Sequence, residues 1–402
     1  MSTAAMPAFD INAETNPFPV VQYLLDRAAY FNMLSVPGSG SGESIMAGGE
    51  TIGFDIVEDL LRFSIEMEAP TLDRGVRARN TAGQRVARFK HRWLFAPDNF
   101  DAHPGEVPPP TAFEPARRQR FVMLDSVCVF GERDGFAGFG TGHTLPVIAD
   151  GRSLLLAGAV GAVFTGEGRF RGLDGVYTYC GSLAASRGFT GSVALRVVDP
   201  AGLFHERRSV PEIIAVPWPD PDFSYIAFRG IKPDSSYETT LIYASDGTPA
   251  GLHLIPQIKE YSMGCGMTSQ GPVAEAAVGR LLGTMTADVH FNPLNPGAPG
   301  TPAAPIPFSN LDQYRFIAAD GSLVASIEGS GTEGRVFAMT LPARNQQAVR
   351  FAGFGPLEGG TGALEGAVGM MAHNSAVGIS PHVLSTLFLC RIYDPAGRHR
   401  VS

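Results

Sequence analysis

Six segments of the chain occur twice, in the same order, 194 to 196 positions apart. Phe95-Ala-Pro97-Asp-Asn99 returns as Phe291-Asn-Pro293-Leu-Asn295, and His103-Pro104-Gly105 as Ala298-Pro299-Gly300. Gln119 to Asp125 aligns with Gln313 to Asp320, and Thr144-Leu-Pro146 with Thr340-Leu-Pro342. Gly166 to Gly175 aligns with Gly360 to Gly369, and Val198-Asp-Pro-Ala-Gly202 with Tyr393-Asp-Pro-Ala-Gly397. Matches kept in register over half of 402 residues imply two homologous units joined near residues 205 to 215. The expected division is 1–48 as an N-terminal helix and linker, 49–210 as a first domain and 211–402 as a second.

The apolar pattern inside each copy has the period of a strand. Leu61, Phe63, Ile65 and Met67 alternate with Arg62, Ser64, Glu66 and Glu68, and Leu281, Met285, Val289 and Phe291 share a parity opposed by Thr284, Thr286, Asp288 and His290. Further runs lie at 120 to 130, 153 to 164, 173 to 181 and 190 to 198, with partners at 314 to 328, 335 to 341, 348 to 354, 367 to 373 and 385 to 393. Gly, Pro and Asp turns separate them. Seven or eight short antiparallel strands per copy predict an all-β fold of two tandem eight-stranded β-barrels, because closure removes exposed edges. One helix is expected at the start, where Val20, Val21, Leu24, Leu25, Ala28 and Phe31 share a face after Pro19, ending before the flexible Pro37-Gly-Ser-Gly-Ser-Gly.

Composition excludes several classes. Glycine and proline, 48 and 31 residues, are too frequent for an all-helical protein. A net charge of −8 without a basic run argues against nucleic acid or an anionic membrane surface as partner. The dispersed Cys128, Cys180, Cys265 and Cys390 form no CxxC pair and read as core thiols of a reducing compartment. With no basic n-region or apolar h-region in the first 20 residues, a cytoplasmic location is expected.

The stretch Gly359-Gly-Thr-Gly362-Ala-Leu-Glu-Gly-Ala-Val-Gly369 resembles the GGTGxFxxAxG signature of the dirigent and allene oxide cyclase superfamily, and Thr165-Gly-Glu-Gly168-Arg-Phe-Arg-Gly-Leu-Asp-Gly175 resembles it too. The resemblance covers about ten residues per copy and implies a glycine-rich turn between two strands of an eight-stranded barrel, lipocalin-like in outline. A dinucleotide fingerprint fails, since the third glycine of GxGxxG is replaced by Glu365 in one copy and Arg171 in the other. No phosphate loop, nucleophile elbow or HExxH occurs. No cofactor is therefore expected.

Candidate chemistry sits beside these turns. Tyr177 and Tyr179 share a parity on the strand after the first glycine turn and would donate to a carbonyl or phenolate, with core packing as the alternative. Their counterparts are Met371 and His373. His143, in Phe139-Gly-Thr-Gly142-His, is a candidate general base whose expected counterpart is Met339, with a loop histidine that has no chemical role as the alternative. Asp125, aligned with Asp320, is a candidate acid if inward, paired with Arg133 or Arg335 or held protonated; Asp320-Gly321 also reads as a turn. Catalytic roles thus fall on His143, Tyr177, Tyr179 and Asp125, and substrate contacts on Arg133, Phe139, His373 and Arg335. The apolar interiors are expected to hold Phe121, Phe136, Phe139, Phe164, Phe170 and Phe189 in one copy and Phe316, Phe337, Phe351, Phe354 and Phe388 in the other. Asp98, Asp101 and His103, and Met263, Cys265 and Met267, are weak metal-like clusters that the second copy or core packing explains away, so no metal is expected.

What the resemblance implies for function is a cofactor-independent lyase, isomerase or cyclase acting on a hydrophobic, oxygenated small molecule, aromatic ones included; the greater number of polar candidates in the first copy makes the first barrel the expected active one. A carrier for such a ligand is the alternative, and a homo-oligomer is compatible with either.

Overall fold

The computed structural model describes residues 28–38, 42–100, 105–184, 188–199, 201–204, 213–231, 239–247, 249–268, 271–291, 306–341, 346–379 and 382–401. Those residues form strands and turns, with a single 3-10 turn at Gly168–Phe170 and no α-helix. The first half contains β1 (Ala28–Pro37), β2 (Glu43–Ala47), β3 (Glu50–Met67), β4 (Ala78–Ala96), β5 (Gln119–Phe130), β6 (Asp134–Ala149), β7 (Arg152–Glu167), β8 (Gly175–Ala184) and β9 (Gly188–Val198). Strands β3 to β9 pair antiparallel in sequence order, while β1 pairs with both β9 and β3, closing an eight-stranded barrel. β2 is a hairpin extension on β3.

The helix expected over residues 20 to 31 is corrected where it can be compared. Ala28 and Phe31 lie on β1, and Phe31 packs inside the barrel against Phe130, Phe170 and Phe204 at ring separations of 5.7, 5.8 and 5.2 Å. The apolar run is used by the barrel as its closing strand, so this barrel begins at Ala28 rather than at 49. The remainder of that expected helix, residues 20–27, lies outside the described residues, as do residues 1–19.

The second half contains β10 (Phe223–Ile231), β11 (Thr239–Tyr243), β12 (Pro249–Leu254), β13 (Gln257–Thr268), β14 (Gly271–Phe291), β15 (Ile306–Ile317), β16 (Leu323–Leu341), β17 (Gln346–Gly362), β18 (Gly369–Ile379) and β19 (His382–Tyr393). Its strands follow the same cyclic order: β13 to β19 pair in turn, and β10 pairs with β19. The seam between β10 and β13 spans only Phe228–Ile231 and Gln257–Glu260, and the second barrel is not closed along its length. The equivalent β1–β3 seam has five pairs, Met33–Pro37 with Glu58–Arg62. Register places β12 and β13 where the first half has the single long β3, and the break between them carries Pro256, which has no N–H to give a ladder.

Both glycine turns adopt one geometry. Gly168 and Gly362 each have φ 59°, a left-handed value that a side chain would strain, and Gly175 and Gly369 each open the following strand. The repeated Asp-Pro-Ala-Gly has an equally physical reason. Asp199 accepts the backbone N–H groups of Leu203 and Phe204 at 2.8 and 2.9 Å, and Asp394 accepts those of Arg398 and His399, both at 2.8 Å. Each turn then hands its chain to the other half: Ala274 N donates to Phe204 O, and Ala78 N to His399 O.

The halves meet across a local two-fold. Ala28 pairs with Val198 and Phe223 with Tyr393, while Met33 pairs with Arg62 and Phe228 with Glu260, so Ile65 and Met263 are equivalent positions. They pair with each other. Around this point Phe63 of β3 is held between Trp218 and Tyr225, at 5.7 and 5.0 Å. Thus the apolar parity 61, 63, 65, 67 faces the other half, and the even parity carrying Ile56, Glu58 and Leu60 lies opposite it. Barrel interiors and inter-barrel face are both apolar, which is why alternation alone does not distinguish them.

Candidate functional site

The first barrel is filled by its own side chains. Trp93 stacks on Phe121 with ring centroids 4.1 Å apart, and Phe54, Phe89, Phe95, Phe136 and Phe189 complete an aromatic interior. Tyr177 lies there, fully buried, against a glycine wall: a Cβ on Gly161 would collide with its ring. Burial pushes the Tyr177 phenol well above its usual range.

Tyr179 belongs to a chain of polar groups inside this aromatic shell. Trp93 Nε1–H donates to His91 Nδ1 at 2.7 Å, which obliges His91 to carry its proton on Nε2 and donate it to Glu58 Oε2 at 3.0 Å. Tyr179 Oη donates to Glu58 Oε1 at 2.9 Å. Burial and the Glu58 charge both drive the Tyr179 phenol far up. Glu58, His91, Trp93 and Tyr179 are closed to solvent and mutually satisfied. Such a network specifies a core and leaves none of its own donors for a substrate; the Tyr177 hydroxyl in the same interior has no hydrogen-bond partner.

The other first-copy candidates lie elsewhere. His143 faces the second half, its ring 6.2 Å from that of Phe354, and does not meet Tyr177 or Tyr179 in the barrel interior. It pairs with Gly158, whose equivalent Ala352 pairs with Arg335, so the register makes Arg335 rather than Met339 its counterpart. Asp125 is not inward: it occupies a bulge of β5 with φ 49°, its side chain 74% exposed and 3.8 Å from Arg92. Asp320 sits in the turn after β15 and accepts Ser322 N, so the two aspartates are not equivalent. Arg133 is exposed in the β5–β6 turn, apart from Asp125's partner Arg92. Phe139 packs on an outer cluster with Leu94, Ala96, Val122 and Leu124, and Phe164 is 40% exposed, so neither lines the interior. Arg335 lies on β16, with its side chain outside the described residues, as are those of Phe337, Phe351, Met263 and Cys265. Asp101 and His103 are also outside them. Among the described residues no group of three His, Cys, Asp or Glu side chains could hold a metal.

The second interior holds a different set. Phe308, Asn310, Asp312, Tyr314 and Phe316 share one parity of β15 and are all buried. Asn310 Nδ2 and Tyr314 Oη both donate to Asp312 Oδ2, at 2.6 and 2.9 Å, which leaves Oδ1 to carry a proton. Burial, opposed by these two donors, pushes the Asp312 carboxyl up to about 7. His373 approaches from β18, its ring 5.8 Å from Phe308 and 6.0 Å from Phe388, which in turn lies 5.1 Å from Tyr314. Burial pulls the His373 imidazole down to about 4, so it is neutral near pH 7. Its Nδ1 lies 3.3 Å from Ser375 Oγ, and its Nε2 has no partner; nor does Asn310 Oδ1.

Two halves of one duplication have thus diverged in their buried polar groups. Register places Pro256 where the first barrel has Glu58, and Ala287 where it has His91, so the first network cannot form in the second. The second acquires Asp312, a carboxyl held near neutrality. Sequence reading passed over Glu58, His91 and Trp93, although Phe89-x-His91-x-Trp93-x-Phe95 places a histidine in an aromatic parity flanked by Lys90 and Arg92. It passed over Asn310, Asp312 and Tyr314 for a similar reason, since the repeat alignment drew attention to Asp320.

No protein-family model, curated protein or solved structure matches the chain. No helix of the described residues is long and apolar enough to cross a membrane.

Proposed function

We propose that the chain is a cofactor-independent proton-transfer enzyme, a lyase, isomerase or cyclase acting on a hydrophobic oxygenated small molecule in the second barrel. The observation that carries this reading is Asp312, a buried carboxyl near 7 with both donors on one oxygen and the other oxygen left for proton exchange. A group balanced between its two forms near neutral pH gives and takes protons with the least cost. Neutral His373 stands in the same aromatic interior as a second hydrogen-bonding group, and the short β10–β13 seam is where a ligand would enter. The reaction class follows the resemblance of Gly359 to Gly369 to allene oxide cyclase and dirigent turns.

The test is isotope exchange. The protein is incubated in deuterium oxide with a panel of aryl and cyclic ketones, and incorporation at the α-carbon is followed by mass spectrometry. The wild type should accelerate exchange of at least one ketone, and Asp312→Asn should lose about 10²-fold or more of that rate. Exchange undiminished in Asp312→Asn contradicts the assignment. A carrier is the second reading, favoured by the orphaned Asn310 Oδ1 and His373 Nε2, which call for a bound partner without calling for turnover. Retention of a ketone through dialysis with no exchange would select it.

A further inference from the structure

The buried groups of the second barrel also restrict what the ligand must be, on the reading that this interior is the working site. Asn310 Nδ2 is committed to Asp312, and that bond fixes the amide so that Oδ1 points the other way, beside Gly331 of β16, with no hydrogen-bond donor to accept from. An amide oxygen cannot donate, so its missing partner is a hydroxyl or N–H. His373 Nε2 is a second buried atom without a partner, on a ring bordered by Phe308 and Phe388. Buried polar atoms in folded proteins are nearly always satisfied, and two orphans on facing strands of one interior point to a missing guest.

The surroundings decide the rest. The described side chains joined to Asn310 and His373 by hydrogen bonds and ring contacts, Phe228, Phe308, Asp312, Tyr314 and Phe388, contribute four aromatic rings and one acid, and no cation. An anionic ligand would meet a carboxyl without any compensating charge, and a bulky saturated one would forgo the ring faces. We infer that the interior takes a neutral, flat, hydroxylated compound of the phenol or enol class, with its hydroxyl donated to Asn310 Oδ1 and its ring laid among Phe308, Phe388 and His373. An enol is the form a ketone passes through when a proton is exchanged at its α-carbon, so the ligand class fits the reaction class.

Three probes of similar shape test this on the full chain at pH 6.5: 2-naphthol, 2-methoxynaphthalene and 2-naphthoate, each titrated by its fluorescence. The naphthol should bind about tenfold or more tightly than the ether, which has no donor, and than the carboxylate, which has a charge. Asn310→Leu should reduce the preference over the ether to less than about threefold, and Asn310→Ser, which keeps an acceptor and is milder if the leucine variant does not fold, should give an intermediate value. Equal binding of naphthol and its ether, or tighter binding of naphthoate, overturns the inference, as does a preference undiminished in both variants. A naphthol preference that depends on Asn310, together with no ketone exchange, leaves the ligand class standing and refutes the enzyme reading. Ketone exchange dependent on Asp312 without any naphthol preference does the reverse.

Discussion

Replacing Asp312 with asparagine should make the protein more stable at pH 8 than the wild type, relative to the difference between them at pH 4. Burial raises the folded-state pKa of this carboxyl from 3.8 to about 7, so the folded chain holds the proton more tightly than the unfolded chain does. Stability contributed by the protonated form is complete below the unfolded value, is lost as pH rises through the folded value, and stays lost above it. At ~1.4 kcal/mol per tenfold, the interval is worth about 4 kcal/mol. Asparagine has no proton to lose, and it still accepts from Asn310 and Tyr314 through its carbonyl oxygen. The stability of Asp312→Asn minus that of the wild type should therefore climb by about 4 kcal/mol between pH 4 and pH 8, and be flat beyond. Urea unfolding at a series of pH values, followed by the fluorescence of Trp93 and Trp218, reads this difference directly. A difference independent of pH across that range would refute the reasoning, because Asp312 would then titrate as it does in an unfolded chain.

The other expectations are of the same kind. His373→Gln should resist acid better than the wild type, since the neutral imidazole's contribution is present above 6.5 and is lost as pH falls through about 4; acid unfolding midpoints measure it, and identical midpoints count against it. Glu58→Leu strands the Tyr179 hydroxyl and the His91 Nε2–H, and should cost about 4 kcal/mol by urea unfolding, whereas a loss under ~1 kcal/mol would mean the network is not satisfied as described. Asp199→Ala orphans two backbone N–H groups and should cost about 2 kcal/mol; Asp394→Ala orphans two and the Ser224 hydroxyl and should cost about 3 kcal/mol; the two should add in the double variant because they share no partner. Gly161→Ala drives a methyl into the Tyr177 ring and should lower stability by about 1–3 kcal/mol, a result that an unchanged melting temperature would exclude.

The architecture was legible because it is written twice. Turn glycines and capping aspartates do their work through backbone geometry, so Gly168 with Gly362 and Asp199 with Asp394 stay recognisable however far the strands between them drift. The strands obey a period of two, but that period names a buried parity without saying what covers it. Phe63, Ile65 and Met67 were visible as a buried face, yet what buries them is the other barrel. His143, a candidate general base from its glycine-rich stretch, lies between the halves for the same reason. Helical spacing at Val20 to Phe31 misled where the same residues also suit a strand, and the need of the barrel for an eighth strand decided the matter for Ala28 and Phe31.

The site was less legible than the fold. The connection before β5 runs from Ala96 to Gln119 and the one before β15 only from Phe291 to Ile306, so a constant offset carried the alignment to Asp320 and past Asp312. A charged residue set in an apolar parity is the signal that survives such shifts. It marks Glu58 between Ile56 and Leu60, His91 between Phe89 and Trp93, and Asp312 between Asn310 and Tyr314 on a strand bounded by Phe308 and Phe316. Burial pushes the Asp312 carboxyl up to about 7, and burial is a property that no local stretch of sequence states.

The most direct test of the account sets one barrel against the other in the same assay. Deuterium incorporation into a responsive ketone is compared in wild type, Tyr179→Phe and Asp312→Asn, with circular dichroism confirming that each variant is folded. The account predicts exchange close to the wild-type rate in Tyr179→Phe and a loss of about 10²-fold in Asp312→Asn. Loss in Tyr179→Phe with full exchange in Asp312→Asn would contradict it and return the chemistry to the first barrel.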